Sequence, residues 1–305
     1  MKKATRAKLY NTVDKPLKIL YHIIAKDMMG ADMKKYRLIA SDLDGTLLKN
    51  DMTVSEENMT AIEEFEKRGI IFVPTSGRTL YEIPSAVLEL PTVRYITYSN
   101  GTAIYDKIQK KDIFETRISK ETSHAVFKII QDYAVMLSVH FNGNSYFERS
   151  KTSDEEFNNY QVNDYYKEIL RKCVMVDNIL DFGMSADSVE AIVLFFKDDG
   201  EMEECRKRLL EVKGITVTSS VAHNIELCSE FAGKGAGLKA LLEILGFSSD
   251  GVIAIGDNMN DTSMFDMAEL SLCTSNGSEN AKALADKVIC SNEEHIADYV
   301  LKNIL

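Results

Sequence analysis

The sequence has 305 residues, 45% of them hydrophobic and 27% charged. That is enough apolar material for two globular domains and excludes a disordered or fibrous chain. The formal net charge of −11 excludes the basic face that a nucleic-acid binder needs, so an anionic ligand has to be drawn by a local positive site or a metal.

Residues 1–33 read as an N-terminal extension. Seven Lys/Arg against three Asp give residues 1–32 a net charge of +4, leaving −15 for the remainder. The apolar run at 17–24 is too short and too interrupted to span a bilayer, and no small-residue cleavage site follows it. The expectation is a dispensable amphipathic segment, with Met33-Lys34-Lys35 as a second plausible start.

The β-prone run 36–40 ends at Ser41-Asp42-Leu43-Asp44-Gly45-Thr46. Helical spacing through Met59, Ile62 and Phe65 predicts a helix over 54–68, stopped by Gly69. A second strand at 70–73 breaks at Pro74-Thr75-Ser76-Gly77, a helix is predicted at about 80–90, and a third strand at 95–98 leads into Ser99-Asn100-Gly101. This alternation predicts a parallel α/β sheet. The middle differs. Helical periodicity at 121–133 and 201–211 mixes with strand-like runs at 135–141, 145–148, 191–196, 215–218 and 224–227, while 150–168 is acidic and weakly patterned. An inserted α+β domain over 118–222 is expected, between core halves 34–117 and 223–305. The α/β rhythm then returns with a helix at 238–245, a strand at 252–255 and a helix at 262–268.

Four polar clusters fall at or near expected strand ends, where parallel sheets bind ligands. Asp42 and Asp44, two residues apart after an apolar strand, would point the same way in an extended chain. Such a pair suits a hard cation, or a nucleophile with an acid/base partner; an Asp-Gly turn would use the same residues. Ser76-Gly77-Arg78 offers a hydroxyl, a free N–H and a helix start, or simply a helix cap. Lys234, in Ala232-Gly233-Lys234-Gly235, can neutralise phosphate and clustered aspartates, or lie solvated on the surface. Asp257, Asn260 and Asp261 in Gly256-Asp257-Asn258-Met259-Asn260-Asp261 look like a cation site, with an Asx-rich turn as the alternative. Five histidines show no metal-ligand spacing and read as structural or exposed. Five cysteines, Cys173, Cys205, Cys228, Cys273 and Cys290, include no C-x-x-C pair, which points to a reducing cytoplasm.

The order Asp-x-Asp-Gly-Thr, Ser-Gly-Arg, Lys-Gly, Gly-Asp-x-x-Asn-Asp resembles the haloacid dehalogenase (HAD) superfamily, and within it the Cof-type phosphatases with a large C2-type cap. The resemblance implies a Rossmannoid three-layer core with a parallel sheet plus an inserted α+β cap. By position it makes Asp42 a nucleophile that forms an aspartyl-phosphate and Asp44 the general acid and base. Mg²⁺ would be held by Asp42, the Asp44 backbone carbonyl and Asp257. Ser76, Gly77, Lys234 and Asn260 would bind phosphate, with Asp261 and Arg78 in support. The second aspartate, Asp44, favours a phosphatase over a dehalogenase. Asn100-Gly101 reads mainly as a turn, and Thr274-Ser275-Asn276-Gly277 and Glu293-Glu294-His295 depart from the family's usual stretches. The implied activity is hydrolysis of a small phosphorylated metabolite, a sugar phosphate or a cofactor such as pyridoxal phosphate or FMN, with no nucleic-acid partner and no membrane span. The alternatives are a phosphomutase of similar fold and a catalytically silent phosphometabolite-binding regulator. In the cap, the stretch 140–146 has amides and aromatics that could read a polyol, or form a plain hairpin.

Overall fold

The computed structural model describes residues 35–219 and 221–305; the extension expected over 1–33 lies outside them. In chain order the strands are Leu38–Ser41 (β1), Ile71–Pro74 (β2), Tyr95–Tyr98 (β3), Ala103–Asp106 (β4), Lys111–Glu115 (β5), Ile118–Ser119 (β6), Val135–Phe141 (β7), Asn144–Glu148 (β8), Val174–Val176 (β9), Ser188–Val189 (β10), Ala191–Phe196 (β11), Ile215–Thr218 (β12), Asn224–Ser229 (β13), Val252–Gly256 (β14), Leu270–Thr274 (β15) and Lys287–Ile289 (β16). The longer helices are Glu56–Lys67 (α1), Lys120–Ile130 (α2), Asp154–Asn159 (α3), Asp164–Lys172 (α4), Ile179–Ser185 (α5), Asp199–Leu210 (α6), Lys234–Leu245 (α7) and Ile296–Asn303 (α8).

Among the described residues, five strands form a parallel sheet in the order β16-β15-β14-β1-β2. A bridge between Thr75 and Thr97 sets β3 beside β2, and β3-β4-β5 continue as an antiparallel meander. The central strands β1 and β14 are buried on both faces, which is why they read as unbroken apolar runs. Leu38, Ala40, Val73, Val252 and Ala254 face α7 through Leu238, Leu241 and Leu242. Ile39, Phe72, Ile253 and Ile255 face Ala61, Ile62 and Phe65 of α1 and Ile296, Ala297 and Val300 of α8. The result is a three-layer α/β/α core, as expected.

The helix expected at 80–90 does not form as one piece. A 3₁₀ turn, Leu80–Glu82, is separated from a single helical turn, Ser85–Leu88, by Pro84, which lacks an N–H and drives Ile83 to extended geometry. The acidic stretch 150–168 does carry helices. Ser153 and Asn163 cap α3 and α4 by accepting the Glu156 and Tyr166 N–H groups.

A second sheet, β12-β13-β11-β7-β8-β9, caps the core. One face packs Leu137, Val139, Ile192 and Leu194 against α2, α5 and α6. The other packs Met136, Phe147, Val193 and Phe195 against Phe157 of α3 and Leu170 of α4. The insertion was expected to end at 222, yet β13 is paired on both sides within this sheet. Its sheet is decided by pairing with β11 and β12, which its own pattern does not specify. The two connections to the core run side by side, with the hydroxyls of Thr116 and Ser229 3.0 Å apart. No helix among the described residues is long and apolar enough to cross a membrane.

Candidate active site

The motifs converge at the carboxyl edge of the parallel sheet. Asp42 follows β1, Gly77 and Arg78 follow β2, Asn100 follows β3, and Asp257 follows β14. Lys234 opens α7, which is seated by a close backbone approach. A Cβ on Gly101, at φ +80°, would lie 2.1 Å from the Gly233 carbonyl oxygen. Gly101→Ala is therefore expected to displace the start of α7 and cost about 3 kcal/mol. An unchanged denaturation midpoint would refute this packing.

Asp42 is only 4% exposed. Lys234 Nζ donates to Asp42 Oδ1 and to Asp261 Oδ1, both at 2.5 Å. The other Asp261 oxygen accepts the backbone N–H groups of Asp257 and Asn258, both at 2.9 Å. Asp261 thus holds both the lysine and the turn. Candidate ligand oxygens of Asp42, Asp257 and Asp261 lie within 4.8 Å of one another.

Asp44 takes another direction. The chain leaves extended geometry once β1 ends at Ser41, so the two aspartates do not aim at one point as the i, i+2 spacing suggested. Arg78 grips Asp44 in a fork, Nε to Oδ2 at 2.8 Å and Nη2 to Oδ1 at 2.7 Å. The Asp44 carboxylate is not among the three whose oxygens cluster.

The electrostatics follow from crowding. Burial pushes the Asp42 carboxyl well above its usual range, and the charges of Asp261, Asp257 and Asp44 add to this against Lys234. Asp257 is pushed up to about 6, by burial first and then by Asp261. Burial alone would lower Lys234; Asp261 and Asp42 reverse that and raise it. Four carboxylates (Asp42, Asp44, Asp257, Asp261) face two cations (Lys234, Arg78). That imbalance, presented by hard oxygen donors, fits Mg²⁺.

The phosphate-binding expectations divide. Gly77, Lys234 and Asn260 line the cavity. Ser76 is not among the lining residues: it is fully buried, and its Oγ accepts the Arg78 N–H at 3.1 Å. Asn100, read as a turn, adopts φ +52° and also lines the cavity, its Oδ1 accepting from Asn260 Nδ2 at 3.2 Å. Thr274 and Asn276, in a stretch that departs from the family pattern, both donate to the Gly45 carbonyl, at 3.3 and 2.8 Å. His295 hydrogen-bonds Ser55, a structural part as expected. His140, read the same way, instead reaches the cavity wall. A lone histidine on a strand gives no signal for that; its place is set by the register of β7.

A cavity of about 320 Å³ separates this cluster from the cap sheet. Such a volume suits a small metabolite.

Residues 39–300 match the family model of haloacid dehalogenase-like hydrolase. The chain is 28% identical over 297 residues to phosphatase YwpJ of Bacillus subtilis (strain 168), covering 88% of this chain and 100% of that protein. It is 25% identical over 288 residues to the 5-amino-6-(5-phospho-D-ribitylamino)uracil phosphatase YwtE of the same organism, covering 88% and 98%. A solved haloacid dehalogenase-like hydrolase from B. subtilis superposes with a TM-score of 0.73 at 26% identity, covering 88% of this chain and 100% of that one. Another, from Bacteroides thetaiotaomicron, shares the fold with a TM-score of 0.75 at 24% identity over 89% and 100%. With that family model spanning both core halves and the cap, the chain belongs to the haloacid dehalogenase-like hydrolases, as a phosphatase of the Cof type.

Proposed function

We propose that this phosphatase is a Mg²⁺-dependent phosphomonoester hydrolase acting through an aspartyl-phosphate on small phosphorylated metabolites. The observation that carries the proposal is the excess of carboxylate charge around a buried Asp42, with a cavity above it sized for a small molecule. Asp42 and Asp257 would hold the ion through their carboxylates and Asp44 through its backbone carbonyl. When bound, it supplies neutralisation of the phosphoryl and carboxylate charge.

The residues divide the remaining work. The Asp42 carboxylate attacks phosphorus as the bond to the leaving oxygen breaks, and Asp44 gives that oxygen a proton. Asp44 then takes a proton from the water that releases phosphate and restores Asp42. Arg78 orients Asp44, and the pair must loosen for Asp44 to carry a proton. Lys234, the Gly77 N–H and Asn260 hold the phosphoryl oxygens, supplying the positioning and charge that phosphoryl transfer requires. Ser76 supports the turn rather than touching phosphate. A cytoplasmic setting belongs to the same reading, from five cysteines without disulfides.

The test is phosphate release from a panel of sugar phosphates, pyridoxal phosphate, FMN and nucleotides. The substrate named for YwtE, a phosphorylated ribitylamino-uracil, supports adding its relatives. Release is expected with Mg²⁺, lost with chelator and restored by added Mg²⁺. Release indifferent to chelator would sink the proposal. Isomerised sugar phosphate without free phosphate would indicate a mutase, and saturable binding without release a regulator.

A further inference from the structure

The cap reaches back into the core through one carboxylate. Glu190, between β10 and β11, is fully buried. Its Oε2 accepts the Ser99 hydroxyl at 3.2 Å and its Oε1 accepts the Gly143 N–H at 2.8 Å. Arg117 Nη2 stands 3.6 Å from the same Oε1. A buried carboxylate is costly unless such partners satisfy it. These partners come from three separate places in the chain. Arg117 lies on the connection from core to cap, Gly143 is in the turn between β7 and β8, and Ser99 follows β3 in the core. The β7–β8 turn is itself seated on the core, because the Gly143 carbonyl accepts the Tyr81 N–H at 3.1 Å. Arg117 Nη1 ties the same turn to the connection by donating to Asn142 Oδ1 at 2.8 Å. The turn of the stretch 140–146 is thus part of a joint between cap and core, with Glu190 at its centre.

Ser99 is where this joint meets the reaction centre. Ser99 and Asn100 take consecutive left-handed backbone conformations, φ +48° and +52°. Residues other than glycine keep such a shape only where their surroundings enforce it. In that shape the two residues clasp the loop after β2. The Ser99 N–H donates to the Arg78 carbonyl at 2.8 Å, and the Asn100 N–H to the Ser76 carbonyl at 2.9 Å. A Cβ on Gly77 would lie 3.1 Å from Asn100 Oδ1. The clasped loop presents Gly77 to the cavity and sends Arg78 to Asp44. Ser99 and Asn100 line the cavity, whereas Glu190 is not among its lining residues.

Building on the phosphatase reading, we infer that Glu190 is a positioning residue for phosphoryl transfer. From the cap it holds the Ser99–Asn100 turn, and through that turn the loop that offers the Gly77 N–H to phosphate and aims Arg78 at Asp44. It acts through Ser99 rather than by touching the substrate. A carboxylate suits the task because it has two acceptor oxygens in a fixed plane, one used by the core and one by the cap. Docking of the cap hairpin and shaping of the loop below it are then one event.

The test measures p-nitrophenyl phosphate hydrolysis with Mg²⁺, at a temperature where circular dichroism shows each variant fully folded. Amide hydrogen exchange of the segment 97–102 is followed in parallel. Glu190→Ala is expected to lower kcat about tenfold or more while KM changes less than about threefold, because the loop and Asp44 are used most in the transition state. It should also speed exchange in 97–102 by about tenfold, without a matching change elsewhere in the core. Glu190→Gln keeps an oxygen for the Gly143 N–H and a donor for Ser99 Oγ, so it should recover most of that loss. Ser99→Ala should lower kcat by about threefold or more, and adding it to Glu190→Ala should cost nothing further, because both remove one link. A Glu190→Ala kcat within about twofold of wild type, losses that multiply in the double variant, or exchange that quickens across the whole chain would overturn the inference. If Glu190→Ala does not fold, Ser99→Ala decides: wild-type kcat and wild-type exchange in 97–102 overturn it. Failure of the phosphatase reading looks different, with no release by the wild type. Exchange then reads the positioning without turnover, and an unchanged rate in 97–102 of Glu190→Ala overturns the inference.

Discussion

Asp42→Asn is expected to lower phosphate release by on the order of 10⁴-fold or more while leaving the protein folded. The amide is nearly the same size but cannot attack phosphorus. It also removes one of four crowded carboxylates, and Lys234 keeps its second partner, Asp261, at 2.5 Å. The metal-free variant should therefore unfold at a temperature no lower than the wild type. Mg²⁺ should raise the melting temperature of the wild type more than that of the variant, because a ligand stabilises the state that binds it. Turnover within about tenfold of wild type would exclude Asp42 as the nucleophile.

Lys234→Met should cost stability as well as activity. Lys234 is 2% exposed and sits between Asp42 and Asp261, which are 4% and 0% exposed. Methionine fills much of the same volume but leaves two buried carboxylates facing each other. Breaking a buried pair in this way costs about 3–5 kcal/mol. Denaturant unfolding of the metal-free protein would measure it. Adding Asp42→Asn to Lys234→Met should recover part of the loss, since one of the uncompensated charges is then gone. A Lys234→Met protein as stable as wild type would show that the lysine is not what holds the aspartates together.

Where a sequence signal is local, it was sufficient. The run 191–196 is β11 to the residue, and the apolar stretch before Asp257 is a buried strand of the parallel sheet, because a strand covered on both faces needs no alternation. Asp42 and Asp257 stand just past apolar strands of the parallel sheet, which brings them together, whereas Lys234 opens a helix and stands out only through the order of the motifs. What was not readable depends on partners distant in the chain. The fork between Arg78 and Asp44 spans 34 positions. The membership of β13 in the cap sheet is set by β11 and β12. Pro84 lies inside the predicted helix 80–90, and the backbone breaks there. His140 and Glu82 carry no motif, and only the closure of the cap over the core brings them to one cavity wall.

The side-by-side exit of the chain at Thr116 and Ser229 has a consequence for how this protein can be built and rebuilt. To the core, everything between those two hydroxyls is one loop whose ends already meet. Lengthening such a loop adds only a logarithmic closure penalty, about 0.6 kcal/mol per doubling. The core can thus exchange one insert for another, or be rejoined across the gap by a few residues, with little thermodynamic resistance. The sheet that roofs the cavity is thus separable in sequence from the residues at its floor.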